Sequence, residues 1–113
     1  MELHERVEEG LKIIDLHGSF IGGMDSTKFR EAIEKCLAEG HLRLLIDIGG
    51  VDYMNSTGLG SLLTGYLNVT RAGGKIVLVG GTPRVLDLLR LTKTDSTVPV
   101  APNLAEARAL VLQ

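Results

Sequence analysis

The sequence contains no tryptophan, two phenylalanines and two tyrosines in 113 residues. So few rings cannot build a stacking platform for single-stranded nucleic acid. A single cysteine, Cys36, excludes an internal disulfide and a cysteine-ligated metal cluster. Basic residues are not in excess: 12 Lys and Arg stand against 14 Asp and Glu, a formal net charge of −2, and they form no stripe. That argues against direct binding of nucleic acid. No apolar run approaches the roughly 20 residues of a spanning helix, so no membrane insertion is expected. The opening MELHERVEEG is acidic and lacks the apolar stretch of a signal peptide. A cytoplasmic protein is therefore expected. Its 44% hydrophobic and 23% charged residues are a globular composition, and the length suits one domain over residues 1–113.

Local patterns give an order of elements. Residues 3–7 read as a short edge strand, Glu9 and Gly10 as a turn, and residues 11–17 (LKIIDLH) as a second strand. GSFIGGMDST reads as a glycine-rich loop, with Asp25 or Ser26 capping a helix whose inner face holds Phe29, Ile33, Cys36 and Leu37. Residues 42–48 (LRLLIDI) are almost wholly apolar, as suits a strand covered on both faces. GGVDYMN reads as a loop. From Thr57 the spacing is helical again, through Leu59, Leu62, Leu63, Tyr66, Leu67 and Thr70. Gly73 and Gly74 end that helix and admit a strand at residues 75–79 (KIVLV). Thr82 and Pro83 are the N-cap and first position of a third helix, with Val85, Leu88, Leu89 and Leu91 inward. TVPVAP holds a short edge strand, and Asn103 caps a last helix using Leu104, Ala107, Leu110 and Val111. The expected architecture is a small α/β domain. It has a mixed sheet of four to five strands and helices mainly on one face.

Chemistry concentrates in one stretch, MNSTGLG at residues 54–60, where a strand gives way to a helix. The residues alone leave two readings open. Ser56 or Thr57 caps the helix, with Gly58 and Gly60 permitting close packing. Alternatively, Ser56 sits just before the helix as a phosphate acceptor, beside backbone N–H groups that favour an anion. A catalytic serine lacks support, because no G-x-S-x-G elbow is present and Asn55 cannot act as a base. Of His4, His17 and His41, only His17 is expected near the Ser56 loop, and no triad can be named. GSFIGG and GGTP lack the order of a dinucleotide or P-loop signature, so no cofactor is expected. A convergence of Asp25, Asp47 and Asp52 at one sheet edge would instead suit a small magnesium-dependent phosphoryl-transfer enzyme.

VDYMNSTGLGSLL, residues 51–63, closely resembles the signature of the STAS domain, in particular of bacterial anti-sigma factor antagonists. That family has Asp-Ser-[Ser/Thr]-Gly-[Leu/Val]-Gly after a buried strand, matched here by Asn55-Ser56-Thr57-Gly58-Leu59-Gly60. GGKIVLVGGTPRVLDLLRLT at residues 73–92 resembles the family's next strand and helix, as does LHGSF leading toward FREAIEKCL. The resemblance implies a STAS-like fold without catalysis. It implies that Ser56, not Thr57, is phosphorylated by an anti-sigma factor serine kinase and reset by a serine phosphatase. It implies a partner surface of Asp25, Asn55, Ser56, Thr57, Gly58, Leu59 and Gly60. Two features depart from the pattern. Asn55 stands where aspartate is usual, and the loop before the first helix is longer, with Asp25 expected to replace an aspartate usual near position 22. A scaffold or adaptor role without phosphorylation, in a larger regulatory or transport-associated assembly, is the alternative these departures suggest. Bulk at Gly58 is expected to impair docking more than folding.

Overall fold

A computed structural model describes all 113 residues. The elements are β1 (Glu2–Glu8), β2 (Leu11–Phe20), α1 (Met24–Ala38), β3 (Arg43–Met54), α2 (Ser56–Arg71), β4 (Lys75–Val79) and α3 (Pro83–Leu91). A 3-10 turn (Thr94–Ser96), β5 (Val100–Ala101) and α4 (Leu104–Val111) follow. The sheet order is β1-β2-β3-β4-β5. β1 is antiparallel to β2 across a turn in which Glu9 and Gly10 both have positive φ, 51° and 80°. That is the backbone handedness a tight hairpin needs. All later pairs are parallel.

The strand order places the helices. In a parallel sheet that grows in one direction, right-handed crossovers put every crossover helix on the same face. Accordingly α1, α2 and α3 share a core with Ile14, Leu16, Leu44, Ile46, Ile48, Ile76 and Leu78. The alternate strand residues Leu11, Ile13, Leu45, Val77 and Val79 face the other way. They are covered by α4, which is not a crossover, through Ala107 and Val111. Helices thus lie mainly on one face, as expected. α1 and α2 approach closely because position 65 is glycine: a Cβ there would meet the Phe29 ring at 2.7 Å.

Several boundaries differ from the sequence reading. GGVDYM is not a loop but the second half of β3, paired with the end of β2 from His17↔Gly50 to Phe20↔Met54, with two register shifts. Val51 and Met54 are buried there. β2 likewise runs three residues past His17. α1 starts at Met24 with Gly23 as N-cap and no side-chain cap, so neither Asp25 nor Ser26 caps it. α2 starts at Ser56, one residue earlier than expected, and Asn55 is its cap. Gly58, Gly65 and Val69 lie on the inner side of α2, while Leu67 and Thr70 are exposed. Leu91, expected inward, is exposed. Thr82 with Pro83 and Asn103 cap α3 and α4 as the sequence indicates.

Candidate functional site

The site lies where β2 and β3 end side by side, since Phe20 pairs with Met54. Crevices beyond the carboxyl ends of parallel strands are where open α/β sheets usually bind. Three residues, 21–23, then lead into α1, and a single residue, Asn55, leads into α2. Asn55 has extended backbone, and its N–H donates to the Phe20 carbonyl at 3.3 Å. Its side-chain Oδ1 accepts from the Gly58 N–H at 2.9 Å, and its Nδ2 donates to the Ile21 carbonyl at 3.1 Å.

A helix start leaves its first amides without intrahelical partners. Here the Gly58 N–H goes to the Asn55 side chain, and the Leu59 N–H to the Asn55 carbonyl at 2.9 Å. The amides of Ser56 and Thr57 remain as the donors available to an outside acceptor. Ser56 itself is exposed at the first helical position, and its hydroxyl takes part in none of the side-chain hydrogen bonds of the fold. Ser56 is therefore not the cap. Its hydroxyl stands free in the part of the helix where the macrodipole favours negative charge.

The neighbouring motif residues have different surroundings. Thr57 is exposed but packs on Gly22, where a Cβ would lie 2.5 Å from the Thr57 Cγ2. Gly58 is buried, and a Cβ on it would fall 2.0 Å from the Phe20 carbonyl oxygen. The expectation that bulk at Gly58 spares the fold fails on this geometry, because the obstruction is backbone. Leu59 is only 7% exposed and belongs to the main core, so little of it is offered to a partner. Gly60 is exposed with open space around it. Asp25 is half-buried; its carboxylate accepts from the Ile21 N–H at 3.4 Å and lies 3.2 Å from the Met1 amino group.

Three exposed apolar side chains at this pole escaped the sequence reading. Ile21 is 50% exposed, Met24 73% and Tyr53 42%, with the Arg84 guanidinium 5.4 Å above the Tyr53 ring. Ile21 and Met24 sit in a stretch that reads as loop, and Tyr53 in one that hides a strand. Only their exposure, which depends on the tertiary fold, marks them. Beside them a groove of about 560 Å³ runs between α1 and α2, lined by Ser26, Thr27, Thr57, Ser61, Thr64 and Arg30 among others. Ser26 and Ser61 bridge its walls, Oγ to Oγ at 2.5 Å.

The residues weighed for catalysis do not assemble. Asp47 accepts from the Gly49 N–H at 2.9 Å, and Asp52 from the Ser19 hydroxyl at 3.1 Å. No group of three or more His, Cys, Asp or Glu converges as metal ligands would. The magnesium-dependent reading thus loses the cluster it required. His17 pairs with Gly50 and sets its ring edge-on to His4 at 5.8 Å, occupied away from Ser56. Cys36 is a buried core residue; burial foremost, then Glu5, pushes its thiol pKa up, with Lys12 opposing.

A family model described as the STAS domain matches residues 3–107. Several solved structures share the fold across nearly their whole length. A candidate anti-sigma factor antagonist from Thermotoga maritima superposes with a TM-score of 0.88 at 19% identity, over 98% of this chain and 95% of that one. SpoIIAA from Bacillus, in its phosphorylated form, gives 0.72 at 17% identity, over 97% and 99%. A sulfate transporter family protein from Wolinella succinogenes gives 0.78 at 19% identity, over 96% and 93%. At such identities the likeness to these structures establishes the fold alone.

Proposed function

The chain belongs to the STAS domain family, and from that premise we propose that it is an anti-sigma factor antagonist switched by phosphorylation of Ser56. In its unmodified form it docks an anti-sigma factor serine kinase through the Ser56 pole and so frees the sigma factor. The kinase transfers the γ-phosphoryl group of ATP to the Ser56 Oγ; the hydroxyl proton and ADP leave, and the modified protein lets go. A serine phosphatase restores the hydroxyl. SpoIIAA, a relative in fold described as an anti-sigma factor antagonist, is known in unphosphorylated and phosphorylated forms.

The observation that carries this reading is the free, exposed Ser56 hydroxyl beside two uncommitted amides, those of Ser56 and Thr57. A phosphate there gains hydrogen bonds at the helix start, so the fold accepts it. The partner side does not. Roughly two negative charges then appear next to exposed Ile21, Met24 and Tyr53, on a surface that docking must desolvate. Thr57 is the poorer acceptor because its side chain packs on Gly22. Around Ser56, exposed Thr57 and Gly60, half-buried Asn55 and the Ile21–Asp25 stretch make up the docking surface; Gly58 and Leu59 support it from beneath.

The test is incubation with ATP and a cognate anti-sigma factor kinase, followed by mass spectrometry of the peptide spanning residues 51–63. One phosphate on Ser56 is expected. Ser56→Ala should keep kinase binding and lose labelling, and Ser56→Asp should weaken binding at least tenfold. Phosphate on Thr57 with Ser56 untouched would sink the assignment. The fold likeness to a sulfate transporter family protein favours one second reading, an adaptor domain that is never modified. Tight kinase-independent binding to a transport-associated partner, with residues 51–63 unlabelled, would select it.

A further inference from the structure

We propose that Asn55 is a positioning residue, a latch whose one side-chain amide fixes the start of α2 and the β2–α1 loop together. Its Oδ1 is committed to the Gly58 N–H at 2.9 Å and its Nδ2 to the Ile21 carbonyl at 3.1 Å. The two partners determine the amide's orientation. Reversed, it would face an N–H with an N–H and a carbonyl with a carbonyl. The loop is held from its other side by Asp25, whose Oδ2 accepts from the Ile21 N–H at 3.4 Å and whose own N–H donates to the Gly22 carbonyl at 3.1 Å. Ile21 is thereby gripped through both of its backbone polar groups, by the side chain of the α2 cap and by one from α1. Gly22, at φ +100°, turns the chain between them with the Thr57 methyl against it.

This goes beyond capping. Serine, threonine and aspartate all supply an acceptor for a helix start. A side-chain amide adds a donor beside the acceptor, both fixed in one short rigid plane. An aspartate at 55 would keep the Gly58 bond but turn a second oxygen toward the Ile21 carbonyl oxygen. A serine would keep an acceptor and lack the reach. In both cases the loop loses its side-chain hydrogen bond from the α2 side. Ile21 and Met24, the most exposed apolar groups at this pole, flank that loop. If the docking reading above holds, on which this consequence rests, Asn55 sets the shape of the partner surface without itself being the main contact.

Amide hydrogen exchange by NMR, on the isolated protein, tests the latch without any partner. In Asn55→Asp and Asn55→Ser the Gly58 amide should exchange within about twofold of wild type, and the amides of Ile21 and Asp25 at least tenfold faster. Unchanged exchange at Ile21 and Asp25 overturns the proposal. Equal acceleration at Gly58 also overturns it, since Asn55 would then be a cap and nothing more. The same variants, titrated with the kinase, address the other reading separately. Loosened loop amides with undiminished kinase affinity would uphold the latch and remove Ile21 and Met24 from the docking surface.

Discussion

α1 and α2 start side by side at one pole of the sheet, and they start differently. α2 is capped by a side chain, Asn55, whose oxygen takes a first-turn amide. α1 is preceded by Gly23 at φ 57° and has no side-chain cap. One start is fixed by a specific hydrogen bond and the other by a backbone conformation. The difference shows where rigidity is concentrated. The helix that presents Ser56 is locked in place at its first turn, whereas the neighbouring loop depends on contacts reaching it from outside. The same contrast recurs within α2 between Gly58, pressed against the Phe20 carbonyl, and Gly60, which faces open space.

The largest expected effect breaks the contrast inside α2. Gly58→Ala places a methyl group where Phe20 backbone already stands. It should cost about 2–3 kcal/mol, the upper part of the usual range for overpacking. Gly60→Ala meets nothing and should stabilise by about 0.5–1 kcal/mol through helix propensity and a less free unfolded chain. Paired urea melts of the two variants should move in opposite directions, and a shared direction would refute the assignment of faces.

A smaller effect sharpens the comparison between the helix starts. Asn55→Ala removes a cap and should cost about 1 kcal/mol, with up to about 2 kcal/mol if the loop bond contributes. Gly23→Ala forces a side chain into positive-φ backbone (φ 57°, ψ −125°) that glycine alone adopts freely, at a start with no side-chain cap. It should cost about 1 kcal/mol. Thermal melts can rank them, and a neutral Gly23→Ala would mean that α1 begins elsewhere in solution.

How much of this was readable beforehand depends on whether the cause is local. The apolar runs LRLLIDI and KIVLV identify β3 and β4 directly, and Thr82-Pro83 and Asn103 mark the later helix starts because capping chemistry spans only three residues. GGVDYM is a strand only because the tail of β2 lies alongside it, and Gly49 and Gly50 blank out the alternation that would reveal it. Asn55, Ser56 and Thr57 are all competent caps, so propensity cannot choose among them. What chooses is a contact to Ile21, 34 residues earlier. The role of Gly58 is similarly hidden, since the atom that forbids a side chain there belongs to Phe20. The motif that holds Ser56 was legible in the sequence; the exposed apolar side chains around it were not.

The smallest effect concerns the far side of α1, away from both helix starts. Burial raises the Cys36 thiol pKa in the folded state. Below the ordinary thiol range, near pH 8.5, both states keep the proton and stability is whole. As pH climbs through that range the unfolded chain loses its proton first, so stability falls, by at most about 1.4 kcal/mol per pH unit. Cys36→Ala should remove this component, so the stability gap between wild type and variant should narrow above pH 8.5. A gap independent of pH would show the thiol to be unperturbed.

The unbroken strand order has a consequence for how the molecule comes into being. Every strand pairs with its immediate predecessor in the chain, and none must later be wedged between two already joined. The sheet can grow from one side, each new strand closing only the span of one crossover helix, so closure entropy stays modest at every step. Ser56, Asn55 and the exposed Ile21 and Met24, with the strands and helices that hold them, all precede Ala72. The pole proposed to meet a partner is therefore complete before β4 and the elements after it are added. The last strand and helix are left to seal the opposite edge and the second face.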